Sequence, residues 1–86
     1  MALDKKPLKE IIGKLVVTKE GKRLGAVDDI TLEARTGELI QVVLKDPTPY
    51  TKNLNLEKTT RNETLIPYNS IIAIGDFVVI SEEDLM

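Results

Sequence analysis

Apolar and polar residues alternate along most of this chain, and short turns that contain glycine separate the alternating stretches. An alternation with a period of two is typical of β-strands that have one face in a core. The pattern predicts six strands, at residues 14–18, 23–33, 38–45, 64–67, 71–74 and 77–80. Because no helical pattern of about 10–15 residues appears, we predict an all-β fold, either a sandwich or a small antiparallel barrel.

Two of the predicted turns place a glycine between alternating strands. The loops at residues 19–22 and 34–37 have the composition of hairpin turns. Gly21 and Gly37 are therefore expected to adopt a positive φ, which glycine reaches without steric penalty.

The second predicted strand contains a break in its alternation. Val27 and Ile30 are both expected to face the core, although a strict period of two places them on opposite faces. A β-bulge or a twist near Asp28 and Asp29 reconciles the two, and one of these carboxylates is expected to accept backbone hydrogen bonds there.

Apolar side chains also predict which parts of the strands are covered. Residues 38–45 carry apolar side chains at consecutive positions, so this strand is expected to be central or covered on both sides. Phe77 opens the apolar run at residues 77–80 and is expected to lie in the core.

Residues 46–63 interrupt the strand pattern with a polar segment that is long for a loop in a compact domain. Its sizeable apolar side chains are Tyr50, Leu54 and Leu56, which we identify as candidate partner-binding residues. Since Leu54 and Leu56 alternate, a partner or a neighbouring subunit could order them as an added strand. The alternative is that the segment lies over its own barrel or is a passive linker.

The composition removes several kinds of chemistry. Without cysteine or histidine, the chain has no disulfide, no thiolate or imidazole ligand and no histidine base. Ser70 and Ser81 therefore lack a histidine to activate them, and the five glycines do not form a phosphate-binding loop. We predict no catalytic residue, no metal site and no cofactor, and a protein that is not an enzyme.

The 12 basic and 14 acidic residues give a net charge of −2 and are unevenly distributed. Residues 1–23 carry a net charge of +4, and residues 24–86 carry −6. The basic N-terminal part allows an RNA-binding edge, but the two tyrosines and one phenylalanine offer no stacking platform for bases.

The apolar runs are too short for a membrane span. The longest has four residues, at 77–80, whereas a transmembrane helix needs about 20. Residues 1–7 lack the apolar stretch of a signal peptide, so we expect a cytoplasmic protein. We further expect one domain at residues 7–80, a flexible N-terminus at 1–6 and an acidic C-terminal tail at 81–86.

Four segments resemble the PRC-barrel domain family. They are Ile-Gly-Lys-Leu-Val-Val at residues 12–17, Gly-Lys-Arg-Leu-Gly-Ala-Val-Asp-Asp-Ile at 21–30, Thr-Gly-Glu-Leu-Ile-Gln-Val-Val at 36–43 and Leu-Ile-Pro-Tyr-Asn-Ser-Ile-Ile-Ala-Ile-Gly-Asp at 65–76. The resemblance is greatest to stand-alone archaeal members. It implies a six-stranded barrel-like fold, a role in holding other macromolecules and no fixed catalytic residues.

The resemblance also implies two kinds of partner. Some archaeal members are dimeric adaptors that contact SepF in FtsZ-based cell division, whereas RimM-type members bind a ribosomal protein during ribosome assembly. We predict a non-catalytic protein-binding adaptor that forms a homodimer through one apolar strand edge or face, such as that of residues 38–45. An RNA-processing or ribosome-assembly factor is the alternative.

Overall fold

The computed structural model of the chain describes residues 10–85, and β-strands rich in valine, isoleucine and leucine make up most of its regular structure. Within this range the strands are β1 (Leu15–Thr18), β2 (Arg23–Leu32), β3 (Leu39–Lys45), β4 (Glu57–Lys58), β5 (Thr64–Pro67), β6 (Ile71–Ile74) and β7 (Phe77–Ile80). Short 3-10 helices lie at Pro49–Asn53, Tyr68–Ser70 and Glu82–Leu85. The all-β prediction is confirmed.

The strands form one sheet with the order β4-β5-β3-β2-β1-β7-β6. Every neighbouring pair is antiparallel except β1 and β7, which are parallel because the last strand returns alongside the first. In the described residues the strand count is seven rather than six, since the polar segment contributes the two-residue strand β4. No pairing there joins β4 to β6, so the barrel-like sheet has two open edges.

The inward side chains of the sheet meet in one hydrophobic core. Fully buried members of that core are Ile11, Val16, Leu24, Val27, Val42, Ile66, Val78 and Ile80. As predicted, β3 is an interior strand, because it pairs with β2 on one side and with β5 on the other. The consecutive residues Val42, Val43 and Leu44 are all buried, so both faces of this part of β3 are covered, whereas Ile40 is 43% exposed.

The break in the alternation of β2 is a β-bulge, as predicted. Val27 pairs with Leu44 and Asp29 pairs with Val43, so Asp28 is the extra residue. The Asp29 Oδ1 atom accepts a hydrogen bond from the backbone N–H of Ile30 at 2.8 Å. The bulge turns Ile30 back toward the core, where it packs against the buried cluster.

Both predicted glycine turns are confirmed. Gly21 has a φ of 88°, and its N–H donates to the Thr18 carbonyl at 2.9 Å. Gly37 has a φ of 75°, and its N–H donates to the Glu33 carbonyl at 2.8 Å. Each glycine therefore closes its turn from the left-handed region.

The prediction that Phe77 lies in the core is wrong. Its side chain is 49% exposed, whereas the next residue, Val78, is fully buried. The alternation along β7 explains the difference, because Val78 and Ile80 occupy the inward positions and leave the outward ones to Phe77 and Val79.

The segment predicted as an acidic tail packs on the barrel where it is described. Residues 82–85 form a 3-10 helix, and Leu85 is buried in the core. The predicted flexible N-terminus, residues 1–6, lies outside the described residues.

Candidate protein-interaction site

The three predicted partner-binding residues lie close to the hydrophobic core. Leu54 is 8% exposed and belongs to the core, and Tyr50 and Leu56 are half-buried against it. Each of the three residues therefore packs on the chain's own barrel, and a partner could reach only the outer parts of Tyr50 and Leu56. Partner binding by these residues stays a prediction.

The polar segment that carries them is fastened to the barrel at several points. Thr48 is joined to β2 by two hydrogen bonds. Its N–H donates to the Leu24 carbonyl at 3.0 Å, and its hydroxyl donates to the Arg23 carbonyl. Farther along, the Asn55 N–H donates to the Leu85 carbonyl at 2.7 Å. Just after Leu54 and Leu56 the chain forms a short strand of its own, because β4 pairs with β5.

Charged contacts hold the C-terminal 3-10 helix against this segment and the first turn. The Tyr50 hydroxyl donates a hydrogen bond to Glu82, which raises the pKa of Tyr50 because ionisation of the phenol would break that bond. Lys19 donates to Glu83 at 2.8 Å, and this hydrogen bond lowers the pKa of the Glu83 carboxyl. Lys22 lies 5.8 Å above the Tyr50 ring, within cation–π distance.

A second region presents apolar side chains to solvent. In β1 and β7 the inward positions are buried, so Leu15, Val17, Phe77 and Val79 point outward. The parallel register pairs Leu15 with Phe77 and Val17 with Val79, which places the four side chains in a block. The block extends to Ala26 on β2, which is opposite Leu15, and to Ala73 on β6, which is opposite Val79. We call these six residues the apolar outer face.

Two basic residues border the apolar outer face on the side of β2 and β3. Arg23 is opposite Val17 on β2, and Lys45 is opposite Ala26 on β3. One shallow groove runs from Leu15 to Lys45, and a second joins Leu15 and Arg23 to Phe77. The arrangement provides an apolar floor with two cations along one border, which suits the binding of another protein surface.

Gly25 fixes the floor of the first groove by a close backbone approach. A Cβ atom at this position would lie 2.8 Å from the carbonyl oxygen of Lys45 and 3.3 Å from that of Asp46. The backbone of Gly25 also has a φ of 152°, which side chains rarely permit. The absence of a side chain lets the backbone at the end of β3 approach the backbone of β2 closely.

The open edge at β6, which we call the β6 edge, is a further candidate surface. β6 pairs with β7 on one side only, and its sequence Ile-Ile-Ala-Ile carries no charge. Ile72 is unpaired in the register with β7 and is 53% exposed. The opposite edge differs, since Glu57 and Lys58 put charges on β4, a common protection against strand pairing.

Sequence reasoning missed both surfaces. A usable signal was present for the apolar outer face, because the runs at residues 15–17 and 77–80 are apolar at consecutive positions. Such a pattern indicates a strand covered on both faces, and the prediction assigned that property only to residues 38–45.

Among residues 10–85, no group of three or more acidic, histidine or cysteine side chains is arranged to hold a metal ion. None of the helices found there is long and apolar enough to cross a membrane.

Comparison with known proteins agrees with the architecture. The strands define a small all-β, barrel-like domain, and the profile of the PRC-barrel domain family matches residues 4–85. The chain belongs to this family. It is also similar to the uncharacterized protein MJ1118 of Methanocaldococcus jannaschii, with 30% identity over 83 residues that cover 96% of this chain and 89% of that protein.

Proposed function

We propose that this protein is a non-catalytic adaptor that binds a partner protein by adding a strand of that partner to the β6 edge. The observation that carries the proposal is the open, uncharged β6 strand with Ile72 exposed. Strand addition gains affinity from main-chain hydrogen bonds and specificity from alternate side chains. Ile72 supplies the apolar contact for such a strand.

The family resemblance supports a specific form of this proposal. Stand-alone archaeal PRC-barrel proteins are the family members that this chain resembles most, and some of them are adaptors in FtsZ-based division. A SepF-like protein is therefore the partner that we propose first. The alternative partner is an RNA or a ribosomal protein, which the RimM resemblance implies.

The experiment compares the native protein with two lysine variants. Ile72→Lys places a charge on the β6 edge at a residue outside the β6–β7 register, so the fold is expected to tolerate it. Ile40→Lys is the matched control, because Ile40 is also an exposed isoleucine, at 43%, but lies on the interior strand β3. Each protein is used to capture partners from an extract of its own cells, and protein and RNA are both identified.

We expect Ile72→Lys to weaken capture of the partner by about tenfold or more, a loss of about 1.4 kcal/mol, and Ile40→Lys to leave it unchanged. Binding to purified SepF, measured by calorimetry, tests the specific form. Equal capture by Ile72→Lys and the native protein would remove the β6 edge from the proposal. Capture of RNA that declines steeply with salt would indicate the ribosome-assembly alternative.

A further inference from the structure

The apolar outer face consists of two rows of side chains that cross the strands. Each row begins with apolar residues on β6 or β7 and ends with a cation on β2 or β3. The members of the two rows are Ala73, Val79, Val17 and Arg23, and Phe77, Leu15, Ala26 and Lys45. A contiguous exposed apolar patch marks an interaction surface more often than an isolated apolar side chain does. The rows therefore define a binding face with its cations on one flank.

The dimensions of this face match one α-helix that lies along β1. The apolar part spans β7, β1 and β2, a width of about 10 Å at the usual strand spacing, and a helix is about 10–12 Å across. The rows are two residues apart along β1, about 6.7 Å, and four residues of a helix rise about 6 Å. Apolar side chains at helix positions i and i+4 thus reach one row each. We infer that the apolar outer face binds an amphipathic helix of a partner protein, with acidic side chains on the flank over β2 and β3.

Arg23 selects the acidic flank. Its side chain is exposed and lines both grooves of the face, and among the described residues no ion pair joins it to an acid. The neighbouring Lys22 lies over Tyr50 instead. Lys45 is a second cation in the first groove, which Asp46 also lines. A guanidinium that has no acid of its own binds a partner carboxylate through paired hydrogen bonds, so Arg23 is the principal contact of the acidic flank.

Other occupants complement the face less well. A two-fold axis along β1 would place Arg23 of a second copy over the apolar Val79, so the face does not complement itself. A sheet from a partner would cover the full width and remove Arg23 and Lys45 from water, whereas a helix leaves both at its flank. Asp76 precedes Phe77 at the opposite border and disfavours acids there, so the partner helix carries its acids on one flank only.

Titration of the full chain with a synthetic peptide tests the inference. The probe has about 18 residues, long enough to form a helix, with leucines on one face and glutamates along one flank. One control peptide has lysines in place of the glutamates, and the other is a scrambled sequence of the same composition. Nuclear magnetic resonance of the isotope-labelled protein locates the contact. We expect the acidic peptide to shift the signals of β1 and β7 with a micromolar Kd, and both controls to bind at least about tenfold more weakly.

Two substitutions separate the charged contact from the apolar one. Arg23→Glu is expected to weaken the acidic peptide about tenfold and to strengthen the lysine peptide, whereas Arg35→Glu, at an exposed arginine between β2 and β3, changes neither. Phe77→Ser is expected to weaken both peptides, whereas Ile40→Ser changes neither, although Ile40 is similarly exposed at 43% against 49%. Thermal unfolding verifies that each variant is folded.

The inference concerns the outer face rather than the main-chain edge of β6, so it stands or fails separately from strand addition. Ile72→Lys is therefore expected to retain peptide binding. An acidic peptide that does not bind at millimolar concentration would overturn the inference, and so would binding that is insensitive to both Arg23→Glu and Phe77→Ser. Signals that shift only along β6, with binding lost in Ile72→Lys, would assign the peptide to the β6 edge and overturn the inference while leaving the proposed function intact.

Discussion

Replacement of Gly25 by alanine is expected to destabilise the fold more than replacement of any turn glycine. The new Cβ atom would lie 2.8 Å from the Lys45 carbonyl oxygen, and that oxygen belongs to the backbone of β3. Relief of the contact requires β3 to move away from β2, where the two strands share the longest ladder of the sheet. The substitution also forces alanine to a φ of 152°.

The two effects have separate magnitudes. A non-glycine residue held in a sparsely populated region of φ and ψ lowers the free energy of unfolding by about 1–3 kcal/mol. Overpacking against a fixed neighbour adds about 1–3 kcal/mol, so the free energy of unfolding is expected to fall by about 2–6 kcal/mol. For a domain of this size, a loss of about 3 kcal/mol lowers the Tm by about 12–24 °C.

Gly21→Ala provides the matched control. Gly21 has a φ of 88°, but a Cβ atom there would meet no heavy atom within 4 Å, so only the backbone penalty of about 1–2 kcal/mol applies. Urea unfolding followed by circular dichroism measures both variants against the native protein. Equal losses at Gly25 and Gly21 would show that the close approach of β2 and β3 contributes nothing, and the reasoning from the contact would be refuted.

Three further predictions concern the polar segment and the C-terminal helix. Leu54→Ala is expected to lower the free energy of unfolding by about 2–5 kcal/mol because Leu54 is a core residue, and urea unfolding that shows no loss would place it at the surface. Tyr50→Phe should reduce the loss of stability at alkaline pH: the phenol must be protonated to donate to Glu82, so its contribution is complete below pH 10.0 and disappears as the pH rises through the raised pKa. Glu83→Gln should reduce the loss of stability at acidic pH. The ionised Glu83 carboxylate, whose pKa is lowered in the fold, stabilises the fold above pH 4.5, and this contribution is lost as the pH falls through the lowered pKa. Thermal unfolding across pH would contradict either prediction if the curves of Tm against pH stayed parallel for the native protein and the variant.

The features of the fold that follow from neighbouring residues were predictable from the sequence. Val27 and Ile30 could both face inward only if β2 contained an irregularity, and the structure has the bulge at Asp28. Gly21 and Gly37 could close their turns only from a positive φ, and both do. In each case the constraint acts over a few residues, so local stereochemistry decides it.

Pairings between distant segments were not predictable in the same way. The parallel pairing of β1 with β7 joins residues about sixty positions apart, and the alternation of each strand is the same for a parallel or an antiparallel neighbour. The short strand β4 has two charged residues and no alternation to reveal it. Its pairing with β5 depends on where the chain before it is anchored, at Thr48 and Asn55.

The same distinction explains why Tyr50, Leu54 and Leu56 could be identified as important but not assigned a role. Three apolar side chains in a polar segment show that the segment contacts something, and the sequence around them does not show whether that surface belongs to the same chain. Leu54 joins a core whose other members come from β1, β2, β3, β5 and β7 and from two residues outside the strands, Ile11 and Leu85. Burial of this kind becomes visible only once the strands are placed.

Phe77 presents the opposite case, because folding leaves a large apolar side chain outside. Successive side chains of a strand point to opposite faces, so only one of each two neighbours can enter the core. On β7 the inward residue is Val78, and its neighbour Phe77 points outward. The outward row therefore gains nothing from the protein's own interior, yet it stays apolar across β7, β1 and β2. Since burial stabilises by roughly 25 cal/mol for each Å² of apolar surface removed from water, such a row gains stability only when another surface covers it. The apolar side chains that the alternation places on the outward face are thus the ones that indicate which surface of this domain binds other molecules.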